Sequence, residues 1–397
     1  MIYGRKPTLQ ISAWTKILWF LLIVVFSIVV AIQLCGYTYI YKTLIYRYPD
    51  IDDLNIFYSQ RVDEGLRAGW PIGHDYNKYK LPSATTAELE KNESVAFLVI
   101  RNDSIRYEQY WDKFDSLSTA NSFSVAKSIV GLLVGIAQGE GKLSLDDPAG
   151  KYVKSYSKEP KSHITIRNLL SMSSGLDWDE SYSSVFSKTT EAYYGSDLQK
   201  QMERLKVKEA PGVHFSYMSC NTVILAMVLE KATGMELAEY ASQKLWKPLE
   251  CTGPAYWSLD HNQGLEKAYC CFYSTARDFA RIGQLICDSG YWKGRQLIPA
   301  NYYREMTTPN GLHDEDSTAV NYYGLHCWLL HHRNRDYVYA RGLNGEYIIA
   351  DPKDHLVVVR LGNKRGERLP NHHMSDMMIY LDGVLDTWAN EASVATR

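Results

Sequence analysis

A serine and a lysine lie three positions apart at the start of a long apolar segment, in the run Ser124-Val125-Ala126-Lys127. Positions i and i+3 share one face of a helix, so this spacing predicts that the hydroxyl and the amine lie side by side. A serine hydroxyl becomes an effective nucleophile when a neighbouring base takes its proton. An amine can be that base only when it is neutral, and burial on an apolar helix lowers its pKa toward that state. The pattern indicates acyl transfer, with backbone N–H groups of the helix N-terminus available to a developing oxyanion.

The same spacing occurs a second time, at Ser155 and Lys158, in the polar stretch KYVKSYSKEPKSH. That stretch has no apolar surface to bury an amine, so we interpret it as a solvated loop. For Ser124 and Lys127 the alternative is a capping serine and a lysine whose stem covers a core helix. Spacing alone leaves both interpretations open.

Motifs of several other hydrolase classes are absent from the sequence. No Gly-x-Ser-x-Gly elbow occurs, which argues against the α/β-hydrolase fold. No His-Glu-x-x-His occurs, and the adjacent histidine pairs lie in polar surroundings typical of a surface. The seven cysteines are irregularly spaced and form no Cys-x-x-Cys pair, and their odd number leaves at least one outside any internal disulfide. We expect neither a metal site nor a cofactor.

The segments around the candidate nucleophile predict how it is positioned. Two strands, VAFLVI and SIRYEQYW, flank a tight turn at Asn102-Asp103, and the apolar helix SFSVAKSIVGLLVGIAQGEG comes next. Residues 145–270 carry short helices and turns, whereas strands return after residue 320 as YVYARG, EYIIA and HLVVVRLG. MMIYLDGVLDTW is typical of a closing helix. The predicted fold class is α/β (α+β), with an antiparallel sheet built from both chain ends, flanking helices and a helical second lobe.

Composition is typical of a folded, near-neutral protein. The 397 residues include 43 basic and 45 acidic groups, and 46% are apolar. This balance excludes a wholly disordered chain and supplies no electrostatic footprint for nucleic acid. Beyond the N-terminal segments, about 300 residues suffice for one two-lobed domain.

Residues 17–41 carry no charge, and about 20 apolar residues span a bilayer. We predict a cytoplasmic tail over 1–16, a transmembrane anchor over 17–41, a linker and wrapping arm over 42–89, and the main domain over 90–390. Basic residues before the apolar run favour a cytoplasmic N-terminus, so the main domain is expected on the periplasmic side of the inner membrane. The alternative is a cleaved signal peptide, whose apolar region is normally only about 7–15 residues long.

Several segments share their order and spacing with one family: NSFSVAKSIVGLLVG, LSLDDPAGKYV, ITIRNLLSMSSGLDWDE, PGVHFSYMSCNTVILAMVLEKATG and RGLNGEYIIADPKDHLVVVRLG. Together they resemble the serine β-lactamase-like superfamily, which includes class C β-lactamases, DD-peptidases and many carboxylesterases. The resemblance is strongest to the branch of 6-aminohexanoate-dimer hydrolases and carboxylesterases. It covers roughly residues 90–385.

The resemblance implies roles for individual residues. Ser124 matches the acylating serine of the family and Lys127 its partner base. Tyr217 matches the tyrosine of the second motif, whose phenol relays the proton between serine, lysine and leaving group. The family often has asparagine two residues later, where this chain has Ser219, and Asn221 follows as an alternative polar group.

At the third motif this chain departs further from the family pattern, because no Lys-Thr-Gly occurs in the chain. At the matching strand, the backbone N–H near Gly342 is expected to complete an oxyanion hole, a role that needs no side chain. Arg341 either replaces the missing cation or points to solvent. Asp177 and Trp178 match a segment near the substrate cleft, and their alternative roles are helix capping and packing.

These expectations define a membrane-anchored serine hydrolase that cleaves an ester or amide of a small molecule through an acyl-enzyme on Ser124. Carboxylesterase or linear-amide hydrolase ranks above β-lactamase or DD-peptidase, because the Lys-Thr-Gly motif is missing. The second class is a catalytically inactive relative that binds cell-wall or acylated ligands. Because both Ser124 and Lys127 are present, this class is disfavoured.

Overall fold

The structure is a computed structural model that describes residues 12–65 and 69–389. Most of the predicted cytoplasmic tail, residues 1–11, lies outside the described residues. The helices are α1 (Ala13–Leu34), α2 (Tyr39–Tyr46), α3 (Ser83–Lys91), α4 (Val125–Gly139), α5 (Ile166–Leu170), α6 (Lys188–Tyr194), α7 (Leu198–Arg204), α8 (Ser219–Thr233), α9 (Leu237–Ala241), α10 (Ala276–Cys287), α11 (Ala300–Met306) and α12 (Ser375–Thr387).

Strands occur near both ends of the chain and in its middle. They are β1 (Ser59–Val62), β2 (Ser94–Arg101), β3 (Ser104–Tyr110), β4 (Thr119–Asn121), β5 (His214–Phe215), β6 (Ala255–Ser258), β7 (Phe272–Thr275), β8 (Tyr291–Trp292), β9 (Arg295–Gln296), β10 (His313–Asp314), β11 (Trp328–His332), β12 (Arg335–Arg341), β13 (Tyr347–Asp351) and β14 (Leu356–Gly362).

The largest sheet is antiparallel, with strand order β11-β12-β13-β14-β2-β3. The C-terminal strand β14 pairs with the N-terminal strand β2, so that Val359 lies opposite Leu98 and Val358 opposite Val99. Both faces of this pair are buried, because α10 packs on one face and α12 on the other. The predicted sheet from both chain ends, flanked by helices, is confirmed.

Helix α10 approaches the sheet so closely that one position requires glycine. A methyl group at Gly283 would collide with the side chains of Val357 and Ile348. The absence of a side chain there lets the helix backbone lie directly against the strands.

The helical second lobe is formed by α5 to α9, and α4 packs between it and the main sheet. A smaller antiparallel sheet, with strand order β1-β6-β7-β4, lies beside it. β4 ends three residues before Ser124, and Asn121 of β4 pairs with Tyr273 of β7. The pairing therefore brings the segment that precedes β7 next to the start of α4.

Helix α1 is the apolar N-terminal segment. It has 22 residues and a window of mean hydropathy 2.9, and none of its residues is buried by the rest of the chain. At 1.5 Å per residue its length is about 33 Å, which matches a bilayer core of about 30 Å. Length and composition therefore fit a membrane span, and a signal sequence at the N-terminus would fit the same criteria.

The uncharged run does not continue as one helix to residue 41. Gly36 has a φ of 75°, and the chain restarts as α2, in which Tyr39 and Ile40 are buried against the main domain. The rest of residues 42–89 supplies β1, which pairs with β6, and α3, which packs against α12.

A buried histidine connects the helices around α4. The Nδ1 of His326 lies 2.9 Å from the carbonyl oxygen of Leu170, and Nε2 lies 2.9 Å from the hydroxyl of Thr222. The His326 carbonyl also accepts a hydrogen bond from the Ser128 hydroxyl at 2.6 Å. Because the ring is fully buried, the pKa of His326 is lowered to about 3.

We expect His326→Ala to lower the free energy of unfolding by about 2–4 kcal/mol, since two buried polar partners lose their hydrogen bonds. The wild-type protein should also lose stability as the pH falls from about 6.5 toward 3, by up to about 1.4 kcal/mol per pH unit from this group, because only the unfolded state binds the proton. Denaturation curves in detergent at several pH values measure both effects. Replacing the exposed His331 by alanine is the control, and an equal effect there would contradict the assignment.

Candidate active site

Ser124 and Lys127 lie side by side at the start of α4. The Lys127 Nζ is 2.8 Å from the Ser124 Oγ and donates to the carbonyl oxygen of Tyr269 at 2.9 Å. Lys127 is 2% exposed, and its burial lowers its pKa to about 8, against the opposing effect of the Glu180 carboxylate. Ser124 precedes the helix without capping any of its N–H groups. The geometry thus disagrees with the alternative of a capping serine and a solvent-directed lysine.

Tyr217 completes this cluster. Its ring centroid is 5.1 Å from the Lys127 Nζ, and its pKa is raised by burial, although a hydrogen bond with Ser124 acts to lower it. The ring is held by Trp328 and Tyr323, whose centroids lie 5.5 and 6.1 Å away. A buried neutral phenol beside the serine can donate its proton.

The strand β12 ends against the segment that carries the serine. A methyl group at Gly342 would lie 2.7 Å from the carbonyl oxygen of Ser122 and would also meet the Glu346 side chain, so glycine permits this approach. The Gly342 N–H, which we predicted to bind an oxyanion, donates instead to the Glu346 carbonyl at 2.7 Å. This hydrogen bond belongs to the turn after β12, so the Gly342 N–H is not available to an oxyanion.

The next residue offers a different donor. Leu343 lines both cavities that contain Ser124, and its N–H has no partner among the described residues. The Ser124 N–H likewise has none within the described ranges. Two lining residues of the site, Ser124 and Leu343, thus have a backbone N–H without a partner among the described residues, whereas the N–H of Gly342 is occupied.

Ser219 is held by the Glu180 carboxylate, a contact that the sequence motifs do not indicate. Glu180 accepts hydrogen bonds from the Ser219 N–H at 2.7 Å and from its hydroxyl at 2.5 Å. It also accepts from the Trp178 indole at 2.6 Å and from the Tyr182 hydroxyl at 2.5 Å. Glu180 therefore connects the start of α8 to the loop after residue 177. Its sequence signal was its place at the end of SGLDWDE, three residues after Asp177.

Asp177 and Trp178 do not line the cavities that contain Ser124. Both line a separate cavity of about 300 Å³. The Asp177 carboxylate accepts from the Lys206 N–H at 2.8 Å and lies 3.4 Å from the Lys188 Nζ. Asp177 thus holds the loop to its neighbours. Trp178 is connected to the site through the hydrogen bond that its indole donates to Glu180.

Two cavities meet at Ser124. The larger, of about 560 Å³, has mostly apolar and tyrosine walls and includes Phe123 and Leu343. The smaller, of about 290 Å³, contains Tyr217, Glu180 and a group of arginines, Arg341, Arg365 and Arg368. The Arg341 guanidinium lies 3.7 Å from the centroid of the Trp328 ring and faces this cavity. Of the two alternatives left open for Arg341, the structure favours the one in which it supplies a cation to the site.

The segment before β7 contains a disulfide between adjacent residues, Cys270 and Cys271. Cys270 lines the larger cavity, and the preceding Tyr269 carbonyl is the one that accepts from Lys127. The other described cysteines are free. The disulfide therefore directly follows the residue whose carbonyl accepts the hydrogen bond from Lys127.

The sequence profile of the beta-lactamase family matches residues 83–375, about three quarters of the chain. The chain belongs to the beta-lactamase family. A 6-aminohexanoate-dimer hydrolase of Paenarthrobacter ureafaciens is 26% identical over 291 residues, covering 69% of this chain and 74% of that protein. The family predicted from the ordered motifs is thereby confirmed.

Solved structures show the same fold. A Bacillus anthracis protein, provisionally named a 6-aminohexanoate-dimer hydrolase, superimposes with a TM-score of 0.74 at 20% identity, over 85% of this chain and 92% of that one. A D-stereospecific amidohydrolase from Streptomyces gives a TM-score of 0.56 at 16% identity, over 78% of this chain and 98% of that one. The chain thus has the serine hydrolase-type fold of the beta-lactamase family.

We expect Glu180→Gln to shift the pH dependence of hydrolysis to lower pH. The carboxylate raises the pKa of Lys127, so removing its charge lets the amine lose its proton more easily. The midpoint of kcat/KM against pH measures this shift, and the lost charge-assisted hydrogen bonds should cost about 1–3 kcal/mol of stability. Glu203→Gln removes the same charge from an exposed position on α7 and should change neither. A midpoint that moved to higher pH would contradict the assigned contact.

Proposed function

We propose that the protein is a membrane-anchored serine hydrolase that cleaves an ester or amide bond through an acyl-enzyme. The observation that carries this proposal is the buried Lys127 amine, 2.8 Å from the Ser124 hydroxyl. A lysine with a pKa of about 8 has a substantial neutral fraction near neutral pH and can accept the proton of serine.

In the proposed reaction the Ser124 Oγ attacks the substrate carbonyl while Lys127 takes its proton. The backbone N–H groups of Ser124 and Leu343 bind the oxyanion. Tyr217 donates a proton to the leaving alcohol or amine and regains one from Lys127. Water then attacks the acyl ester by the reverse sequence, which releases the acid and regenerates the serine.

For the substrate we favour an ester or a linear amide. The chain has no Lys-Thr-Gly motif, and a relative that is 26% identical is named a 6-aminohexanoate-dimer hydrolase. A linear dimer of an amino acid is joined by an amide bond. DD-peptidase or β-lactamase activity is the second candidate. The three arginines in the smaller cavity support it, because they could bind the carboxylate of a peptide or β-lactam.

Helix α1 is proposed as an uncleaved anchor that holds the catalytic domain on the periplasmic face of the inner membrane. Its length and the basic residues before it support this arrangement. The helix itself carries no residue of the candidate site.

Intact-mass detection of acyl adducts tests the proposed function. The purified full-length protein is incubated with p-nitrophenyl esters, linear amides, nitrocefin and a D-Ala-D-Ala peptide, and adducts are located by peptide mapping. We expect adducts of esters or linear amides on Ser124. Turnover of nitrocefin or of the peptide without ester turnover would reverse the substrate ranking. Ligand binding without any adduct would instead support the inactive relative.

A further inference from the structure

We propose that the acyl part of the substrate is a long hydrocarbon chain, drawn from the bilayer that holds α1, and that it lies in the cavity of about 560 Å³ beside Ser124. This inference rests on the proposed function. Attack by Ser124 would transfer the fatty acyl group to its Oγ and release the head group as an alcohol or amine with its proton. Hydrolysis by water would then yield a free fatty acid.

The walls of the cavity suit a hydrocarbon chain. Arg47 is the single charged side chain among the described residues that line it. The hydroxyl of Thr43 donates to the Tyr39 carbonyl, and that of Thr189 donates to the Asp179 carbonyl. The Thr190 hydroxyl likewise donates to the Ser184 carbonyl, whereas the buried hydroxyls of Tyr194 and Tyr269 have no hydrogen-bond partner among the described residues. The cavity therefore offers a polar ligand few hydrogen bonds for its size, which lies within the usual range for ligand pockets.

One wall of the cavity is α2, the helix that directly follows the apolar α1. Thr43 and Leu44 of α2 line the cavity together with residues of α6, against which α2 packs. Residues 35–38 alone separate the two helices, a connection of at most about 14 Å. The cavity wall is therefore held close to one end of α1.

Contacts between the two helices fix this proximity further. The Tyr41 hydroxyl of α2 donates to the carbonyl of Val29, which lies five residues before the end of α1, at 3.5 Å. Ile32 of α1 packs against the core of the main domain. If α1 spans a membrane, α2 lies at the depth of its last turns, at the interface between lipid and water.

Exposed apolar residues lie at or next to the lining positions Leu44 and Val185. Leu44 is 65% exposed and Ile45 is 71% exposed, and Phe186 is exposed next to the ring of Tyr37. Exposed aliphatic and aromatic side chains beside a membrane helix are typical of residues that enter the lipid interface. A chain entering the cavity from the bilayer would therefore remain in apolar surroundings.

A chain-length series tests this inference on the full-length protein in detergent. We expect kcat/KM to rise at least a hundredfold from p-nitrophenyl acetate to the octanoate, because each buried methylene contributes up to about fourfold. Leu44→Glu places a charge in the cavity wall and should lower octanoate turnover at least tenfold more than acetate turnover. Val185→Trp, which fills the cavity from another segment, should do the same. Leu117→Glu is the matched control, since this leucine is 81% exposed and does not line the cavity.

A second experiment distinguishes the bilayer from the aqueous phase as the source of the substrate. Phosphatidylcholine vesicles carrying p-nitrophenyl palmitate are mixed with separate enzyme vesicles or are reconstituted together with the enzyme. We expect hydrolysis at least tenfold faster when enzyme and ester share one bilayer. Equal rates, a flat chain-length series with active acetate hydrolysis, or equal effects of Leu44→Glu and Leu117→Glu would overturn the inference. If no ester acylates Ser124, the proposed function itself fails, and this inference fails with it.

Discussion

Ser124→Ala is expected to abolish acyl-enzyme formation and to lower kcat/KM on the order of 10⁴-fold or more. In the proposed reaction the serine Oγ forms the covalent bond, and no other described hydroxyl shares the contact with the buried Lys127 amine. What remains after the substitution is the modest acceleration from oxyanion binding and substrate positioning. Labelling with a fluorophosphonate probe, read by intact mass, measures the loss directly.

The chain supplies a matched control for this substitution. Ser155 stands in the second Ser-x-x-Lys sequence, where Lys158 is exposed and no hydrogen bond joins the two side chains within the described residues. We expect Ser155→Ala to keep full labelling and full turnover. Labelling that persists unchanged in Ser124→Ala would show that the nucleophile is another residue.

Lys127→Ala is expected to lower kcat/KM on the order of 10³-fold, because the general base is lost while the nucleophile remains. In the wild-type enzyme, the pKa of Lys127 is lowered to about 8 by burial. The amine accepts a proton only when neutral, so kcat/KM should fall about tenfold per pH unit below 8 and level off above it. The variant should lack this inflection, which a pH series with one p-nitrophenyl ester shows.

The control for the lysine is Lys158→Ala, which should leave both the rate and the pH profile unchanged because Lys158 is exposed and lines neither cavity at Ser124. Retention of the inflection near pH 8 in Lys127→Ala would assign the titration to another group. A wild-type rate that falls as pH rises through 8 would contradict a neutral amine as base.

The sequence alone was sufficient for features that depend on local geometry or on an ordered series of motifs. Ser124 and Lys127 are one helical turn apart, so their contact follows from helix spacing once the helix is buried. The antiparallel sheet also followed from alternating and apolar runs at the two ends of the chain, since strands with buried faces must pair. The order of motifs identified the family, which the sequence profile confirms.

The roles of Gly342 and Asp177 show where local reasoning was insufficient. The end of the strand at Gly342 was correctly predicted to lie beside the segment that carries the serine. Its N–H, however, donates to the Glu346 carbonyl in a turn that the residue pattern does not specify. Asp177 stands in the correct segment, yet Glu180, three residues later, is the carboxylate that contacts the site. Loop residues point where their tertiary partners allow, because no helical or strand period determines their direction.

The sequence by itself determined the contact of Ser124 with Lys127, the fold and the apolar N-terminal helix, because each depends on spacing within one segment or on composition. The tertiary structure alone decided which carbonyl holds the Lys127 amine, which backbone N–H after β12 has no partner among the described residues, and that α2 forms a wall of the cavity at the serine. These features join segments that are more than 70 residues apart in the chain. Their contacts form only when the chain packs, since packing fixes distances that sequence separation leaves undetermined.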